Sequence, residues 1–199
     1  MAVIGTLIEG KYEILKLIGK GGMSEVYLAM DKNLNKQWAV KEIKKRSHDK
    51  NNDIVVQSAI AEANLMKKLD HPCLPRIVDI IDKVDVIYVV MDYIEGEPLS
   101  KVIEKNGAQP QASVIEWAQE LASVLEYLHM QAPPIIYRDM KPANIMLQPN
   151  GNIKLIDFGI AREYKTQSIS DTVSLGTKGY AAPEQFGGKG QTDARTDIY

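Results

Sequence analysis

Residues 137–144 read Tyr137-Arg138-Asp139-Met140-Lys141-Pro142-Ala143-Asn144, and residues 157–159 read Asp157-Phe158-Gly159. Short apolar segments surround them: Ile135 to Tyr137, Ile145 to Leu147 and Ile153 to Ile156. The clusters between these segments are too rich in Asp, Lys, Asn and Arg to be core. They read as loops that line a site, held up by the apolar pieces beside them.

Toward the N-terminus, Pro133-Pro134 closes a long amphipathic stretch that Pro110 opens. Val114, Ala118, Leu121, Leu125 and Leu128 alternate spacings of four and three, which predicts a helix packed by one stripe. Glu95-Gly96-Glu97-Pro98 before it reads as a linker. The first ninety residues are different in character. Tyr12 to Ile18, Val26 to Met30, Gln37 to Ile43, Arg76 to Ile81 and Val86 to Asp92 are rich in Val, Ile and Tyr between turn residues, and predict five strands. Ile54 to Leu69 interrupts them, with Ile60, Ala63, Met66 and Leu69 at helical spacing, Asp53 as a cap and His71-Pro72 as a stop. The expectation is an α+β chain: a sheet lobe over 1–94, a mainly helical lobe over 95–199, and a cleft between them.

Composition narrows the function classes. The 199 residues carry 24 Lys+Arg against 26 Asp+Glu, a net charge of −2, with 45% hydrophobic residues. That balance offers no basic field for a nucleic-acid backbone and no polybasic tract for an anionic membrane. Cys73 is the one cysteine, so an internal disulfide is impossible and a reducing, cytoplasmic setting is the simplest reading. Met1 to Leu17 lacks the pattern of an export signal. Val86 to Met91, among the longest apolar runs, is far short of the roughly 20 residues that span a bilayer. Any membrane anchor is expected outside this chain.

Gly19-Lys20-Gly21-Gly22-Met23-Ser24-Glu25-Val26 is a glycine-rich turn, read either as a flexible hairpin or as a loop whose backbone N–H groups approach phosphate oxygens. It is not a dinucleotide fingerprint, because Val26-Tyr27-Leu28-Ala29 after it alternates as a strand rather than a helix. No Gly-Lys-Ser/Thr follows, which removes a Walker loop. In Trp38-Ala39-Val40-Lys41 a lysine sits inside an apolar strand, read either as an exposed edge lysine or as a buried ammonium that needs a partner. Glu62, on the interrupting helix, is placed to neutralise Lys41.

With these features in order, and with Ala182-Pro183-Glu184 after Asp157-Phe158-Gly159, the sequence resembles the eukaryotic-type (Hanks-type) serine/threonine protein kinases, and most of all their bacterial branch. The resemblance runs from about Tyr12 to the end of the chain. It implies a bilobal kinase fold that binds ATP and Mg2+ and transfers the γ-phosphoryl group to Ser or Thr hydroxyls of protein substrates. Asp139 would take the hydroxyl proton and Lys141 would stabilise the transferred group. Asn144 and Asp157 would hold the metal, and Thr177 would bond Asp139 and Lys141. Around the nucleotide the resemblance places Ile18, Gly19, Gly21, Gly22, Ser24, Val26, Ala39, Lys41 and Glu62. Met146 would lie below the adenine, Asp92 and Ile94 would bond it through backbone atoms, and Met91 would control access to the back of the pocket. Arg138 before Asp139 implies an activation segment ordered by phosphorylation, with Thr172 and Ser174 as acceptors.

Three departures stand out. Ser24 replaces the usual third glycine of the loop. Tyr137 replaces the usual histidine of the catalytic loop, where the side chain packs under Phe158 and bonds backbone. His71, His129 and His48 read as turn, helix surface or end, and solvent. Thr192 to Tyr199 matches the start of the central helix of the helical lobe, with Asp197 holding the catalytic loop backbone, and there the sequence stops. The expectation drawn from this is an incomplete helical lobe that keeps nucleotide-binding groups, is impaired in catalysis, and self-associates through exposed surface. The alternative is a non-catalytic interaction module built on the same fold.

Overall fold

Six strands build the first half of the chain. β1 (Leu7–Ile8), β2 (Tyr12–Lys20), β3 (Ser24–Asp31), β4 (Lys36–Lys44), β5 (Ile77–Asp82) and β6 (Val86–Asp92) form one antiparallel sheet in the order β1-β2-β3-β4-β6-β5. The computed structural model describes residues 2–20, 24–45, 60–61, 63–158, 162–163 (backbone only), 177, 179–186 and 191–199. These residues divide into two compact units, Met1–Asp70 with Pro75–Ile94, and His71–Leu74 with Glu95–Tyr199.

In the first unit, side chains alternate between the faces of the sheet. One face buries Tyr12, Ile14, Tyr27, Ala29, Trp38, Val40, Tyr88 and Val90. The other buries Ile43, Ile87 and Val89 against Ile60 and Ala63, where residues 60–61 and 63–66 are helical. Lys41 has the parity of Ile43, so it points to the helix side, beside Val26 on β3 and Val89 on β6. The β3–β4 turn is set by Asp31, whose buried Oδ1 accepts from the N–H groups of Asn33 and Leu34 at 2.9 and 3.1 Å. The five expected strands are present and the sixth, β1, is an addition: Leu7 and Ile8 pair with Glu13 and Tyr12 after a tight turn. Two residues are too few to show a period. The start of the expected helix at Asp53 lies outside the described residues.

The second unit contains β7 (Glu97–Pro98), α1 (Leu99–Asn106), α2 (Gln111–His129), β8 (Ile135–Ile136), β9 (Ile145–Leu147), β10 (Ile153–Leu155) and β11 (Arg162–Glu163). The expected linker at Glu95 to Pro98 is partly strand, because Glu97 and Pro98 pair with Leu147 and Met146. Gly96 is required there: its φ is +132° and a Cβ would stand 2.0 Å from the Leu147 carbonyl oxygen. α1 was not expected; it buries only Leu99, so its sequence carries little apolar period. α2 appears where Pro110 predicts it, but its buried face is Trp117, Val124, Leu125 and Leu128. Val114 is 46% exposed and Ala118 is exposed too, which corrects the expected stripe. Trp117 displaces them because its indole N–H donates to Gly151 O at 3.1 Å, turning the aromatic residue toward the β9–β10 hairpin.

Residues 71–74 go with the second unit although they precede β5. The Leu155 N–H donates to Cys73 O at 2.8 Å, Lys154 donates to Pro72 O, and His71 lies against Tyr127 with ring centroids 5.2 Å apart. The main crossing of the chain from one unit to the other falls between Ile94 and Glu95. Among the described residues no helix is long and apolar enough to cross a membrane.

Candidate active site

The loop over residues 137–144 is built on a bend that the backbone enters at a cost. Arg138 has φ of +67°, in the left-handed region that disfavours side chains. Two amides hold it there: Tyr137 N–H and Arg138 N–H donate to Asp197 Oδ2 and Oδ1 at 2.9 and 2.6 Å. Asp197 is fully buried and its Oδ2 also meets His129 Nε2 at 2.7 Å. His129, expected on the helix surface or end, is only 17% exposed and buttresses the loop from the last residue of α2. Gln185 closes the other side, donating through Nε2 to Arg138 O at 2.8 Å. Ala182-Pro183-Glu184-Gln185 adds to the resemblance to the bacterial branch, but nothing in those letters gives Gln185 a role at this loop.

Asp139, Lys141, Asn144 and Thr177 converge. Lys141 Nζ donates to Asp139 Oδ2 and to Thr177 Oγ1, both at 2.7 Å, while the Thr177 hydroxyl donates to Asp139 Oδ1 at 2.8 Å. Asn144 Nδ2 donates to the Asp139 carbonyl at 3.0 Å and to Oδ2 at 2.8 Å. Pro142 starts the short helical turn Pro142–Asn144 with its φ preset and no N–H to satisfy, which swings Asn144 back onto Asp139. The carboxylate is thus oriented at both oxygens, and a charge-assisted bond keeps Lys141 beside it.

Asp157 is tied to the same loop through the backbone: Ile156 N–H donates to Asn144 O at 2.8 Å. Asp157 has φ of +63°, and Phe158 is buried edge-on against Tyr137 with ring centroids 5.1 Å apart. Burial, with the charges of Asp157 and Asp139 adding to it, pushes the Tyr137 phenol well above its ordinary value, so it stays protonated. The donor set suits a magnesium ion. Asn144 spends its amide nitrogen on Asp139, so Oδ1 is the atom it would offer a cation, and Asp157 would add a carboxylate; both are hard oxygens. Among the described residues there is no group of three or more His, Cys, Asp or Glu that would cage a metal without help. Magnesium bound through one or two side chains completes its shell with water and phosphate oxygens.

In the first unit, Lys41, Ile43, Ala63, Met66, Ile77, Val89 and Met91 line a cavity of about 10 Å³. Met91 therefore stands next to Lys41 at the back of the sheet. Ala39 is buried, Val26 and Ile94 are half-buried, and Ile18 is 40% exposed. Gly19 pairs with Val26, and Ser24 opens β3 opposite Ile43. The Asp92 N–H donates to Arg76 O at 3.0 Å, so only its carbonyl remains as a backbone group for a ligand. Met146, in the second unit, is half-buried on β9. Gly21, Gly22, Glu62, Thr172 and Ser174 lie outside the described residues.

This sequence matches the protein kinase domain over residues 12–199. The chain belongs to that family. A Clostridium perfringens protein named probable serine/threonine-protein kinase is 38% identical over 198 residues, covering 99% of this chain and 28% of the relative. The serine/threonine-protein kinase PrkC of Bacillus subtilis is 37% identical over 198 residues, covering 99% of this chain and 30% of PrkC. The serine/threonine-protein kinase PknA of Mycobacterium tuberculosis is 31% identical over 202 residues, covering 98% of this chain and 46% of PknA. The kinase-family chain thus spans less than half the length of each of these relatives.

Proposed function

We propose that this kinase-family chain binds ATP with magnesium and transfers the γ-phosphoryl group to Ser or Thr hydroxyls of proteins. The observation that carries the reading is the closed triangle of Asp139, Lys141 and Thr177, with Asn144 bonded to the same carboxylate. An Asp fixed at both oxygens is placed to accept a proton from an incoming hydroxyl. The hydroxyl oxygen bonds to the γ-phosphorus, the bond to the β–γ bridging oxygen breaks, ADP leaves with that electron pair, and the hydroxyl proton passes to Asp139. Lys141 supplies positive charge to the phosphoryl group in flight. Lys41 of the first unit would hold nucleotide phosphate, and Asn144 and Asp157 of the second would hold magnesium, which when bound neutralises phosphate charge.

The Ser/Thr choice rests on Asp139-Met140-Lys141-Pro142-Ala143-Asn144 together with Thr177, and on the names of the relatives. The test is to incubate the full-length protein with ATP, magnesium and a generic protein substrate, and to map phosphate by mass spectrometry. Phosphoserine or phosphothreonine should form with the wild type. With Asp139→Asn it should fall by about 10²–10⁴ in rate, the range of a lost general base, while nucleotide affinity stays within a few-fold. Equal transfer by both proteins overturns the assignment. Absence of any magnesium-dependent ATP binding favours the non-catalytic module instead.

A further inference from the structure

Gln185 is a polar side chain with only 4% of its surface exposed, and each end of its amide meets a backbone group. Oε1 accepts from the Ala182 N–H at 3.0 Å, and Nε2 donates to the Arg138 carbonyl oxygen at 2.8 Å. An N–H can only donate and a carbonyl can only accept, so the amide has one orientation that satisfies both. The Arg138 carbonyl belongs to the Arg138–Asp139 peptide group, which is planar and turns as one rigid piece. The peptide before it is held as well, through the Arg138 N–H on Asp197 Oδ1 at 2.6 Å. Arg138, at φ of +67°, is thus gripped on both sides, and a residue with a side chain keeps such a conformation only where its surroundings over-determine it. The grip continues into the stretch that carries Gln185. The N–H groups of Tyr180 and Ala181 both donate to Thr177 O at 3.0 Å, the Ala182 N–H goes to Gln185, and the Thr177 hydroxyl reaches Asp139. One brace therefore meets Asp139 twice: Thr177 at its carboxylate, and Gln185 at the peptide that leads to it.

We propose that Gln185 is a positioning residue: its amide fixes the Arg138–Asp139 peptide and so aims the Asp139 carboxylate at the hydroxyl of the protein substrate. The inference deepens the proposed function and rests on it for the hydroxyl, but the grip on the peptide is a property of the chain alone. Gln185→Glu keeps the shape and an acceptor for Ala182. As a carboxylate it has no hydrogen to give Arg138, and it sets oxygen against oxygen in a buried place. Once protonated it donates again. Gln185→Leu removes both bonds at any pH.

The experiment compares full-length wild type, Gln185→Glu and Gln185→Leu by three readouts. One is amide hydrogen exchange without ligand; another is phosphoryl transfer to a generic protein substrate over a pH series from neutral to mildly acidic; the last is binding of a non-hydrolysable ATP analogue with magnesium. In Gln185→Leu the Arg138 and Ala182 amides should both exchange faster at neutral pH. In Gln185→Glu the Arg138 amide should do so while the Ala182 amide stays protected. The kcat of both variants at neutral pH should fall about 10- to 100-fold, the cost of slightly misplacing a reacting group, with analogue affinity within about twofold of wild type. A buried carboxyl titrates above its ordinary value of about 4.3. The deficit of Gln185→Glu should therefore shrink as the pH falls, while that of Gln185→Leu keeps its ratio to wild type. Wild-type kcat in both variants overturns the inference. So does a Gln185→Glu deficit that follows that of Gln185→Leu at every pH, and so does a loss that appears only as weaker nucleotide binding. Should Gln185→Leu fail to fold, Gln185→Glu against wild type over the pH series carries the same comparison. A wild type that transfers no phosphate refutes the proposed function. The exchange readout then still decides whether the amide holds the peptide, and unchanged Arg138 exchange in both variants would mean that it does not.

Discussion

Gly19 shows how a single position separates a demand of the fold from a demand of a ligand. It pairs with Val26 in the β2–β3 ladder, and an added Cβ would meet Val26 Cβ at 3.5 Å and Cγ2 at 3.8 Å, ordinary contact distances. Its φ is not in the left-handed region. Among the described residues nothing asks for glycine here, unlike at Gly96, where the Leu147 carbonyl leaves no room. Glycine within a strand loses more entropy on folding than alanine does. Gly19→Ala is therefore expected to raise unfolding free energy by about 0.4–1 kcal/mol. If phosphate approaches the backbone here, the same change weakens nucleotide binding, by about tenfold for each 1.4 kcal/mol lost. Denaturant melts and equilibrium nucleotide titrations read the two effects separately. A variant that is more stable and binds as tightly as wild type would remove Gly19 from the phosphate site. Gly19 was legible as part of a glycine-rich turn; that the fold tolerates alanine there was not, because it depends on where Val26 Cβ points.

At the scale of elements, the Arg76–Asp92 ion pair clamps the start of β5 to the end of β6. Arg76 donates from its backbone N–H and from Nε to Asp92 Oδ2 at 3.1 and 2.9 Å, and from Nη2 to Oδ1 at 3.3 Å. Lys36 Nζ lies 3.7 Å from the same carboxylate and 3.9 Å from the centroid of the Trp38 ring. Burial pushes the Asp92 carboxyl up, but the bonds from Arg76 and the nearby charges outweigh it and hold it below the usual carboxylate value. A carboxyl lowered on folding stabilises above its unfolded value, about 3.9 for Asp, and that stabilisation fades as pH falls through the lower folded value. Arg76→Gln is therefore expected to lower the melting temperature by a few degrees at most, because Arg76 is 62% exposed and solvent screens it. The gap between wild type and variant should be largest above the unfolded Asp value of about 3.9 and narrow as the pH falls below it. A melting series across that range checks it, and a gap that widens in acid contradicts it. The elements also show where sequence reading works. Five strands were legible because Val, Ile and Tyr repeat over enough residues to show a period. β1 has two residues, and α1 buries one. The face of α2 was misjudged because Trp117 was left out of the stripe, and its place is decided by a carbonyl at Gly151, 34 residues away.

For the molecule as a whole, the two units raise the question of what makes them act together. Asp139, Lys141 and Asn144 were legible because they lie in one loop, whereas His129 reaches Asp197 across 68 residues and Tyr137 reaches a backbone acceptor, which leaves no trace in the letters. Lys41 belongs to the first unit and Asn144 and Asp157 to the second. Under the proposed function all three act on one nucleotide, so its binding energy must appear in both units. A ligand at 100 times its dissociation constant stabilises by about 2.7 kcal/mol, or about 5–10 °C in melting temperature for a chain of this size. Magnesium–ATP should therefore slow amide exchange at β3 and β4 and also at 153–158. EDTA should remove most of the effect at 153–158. Lys41→Met should shrink the thermal shift and weaken protection in the second unit, which it does not belong to. Protection confined to one unit, or a Lys41→Met shift equal to that of wild type, would mean that Lys41, Asn144 and Asp157 do not serve the same molecule, and the proposed function would fail even with the triangle of Asp139, Lys141 and Thr177 intact.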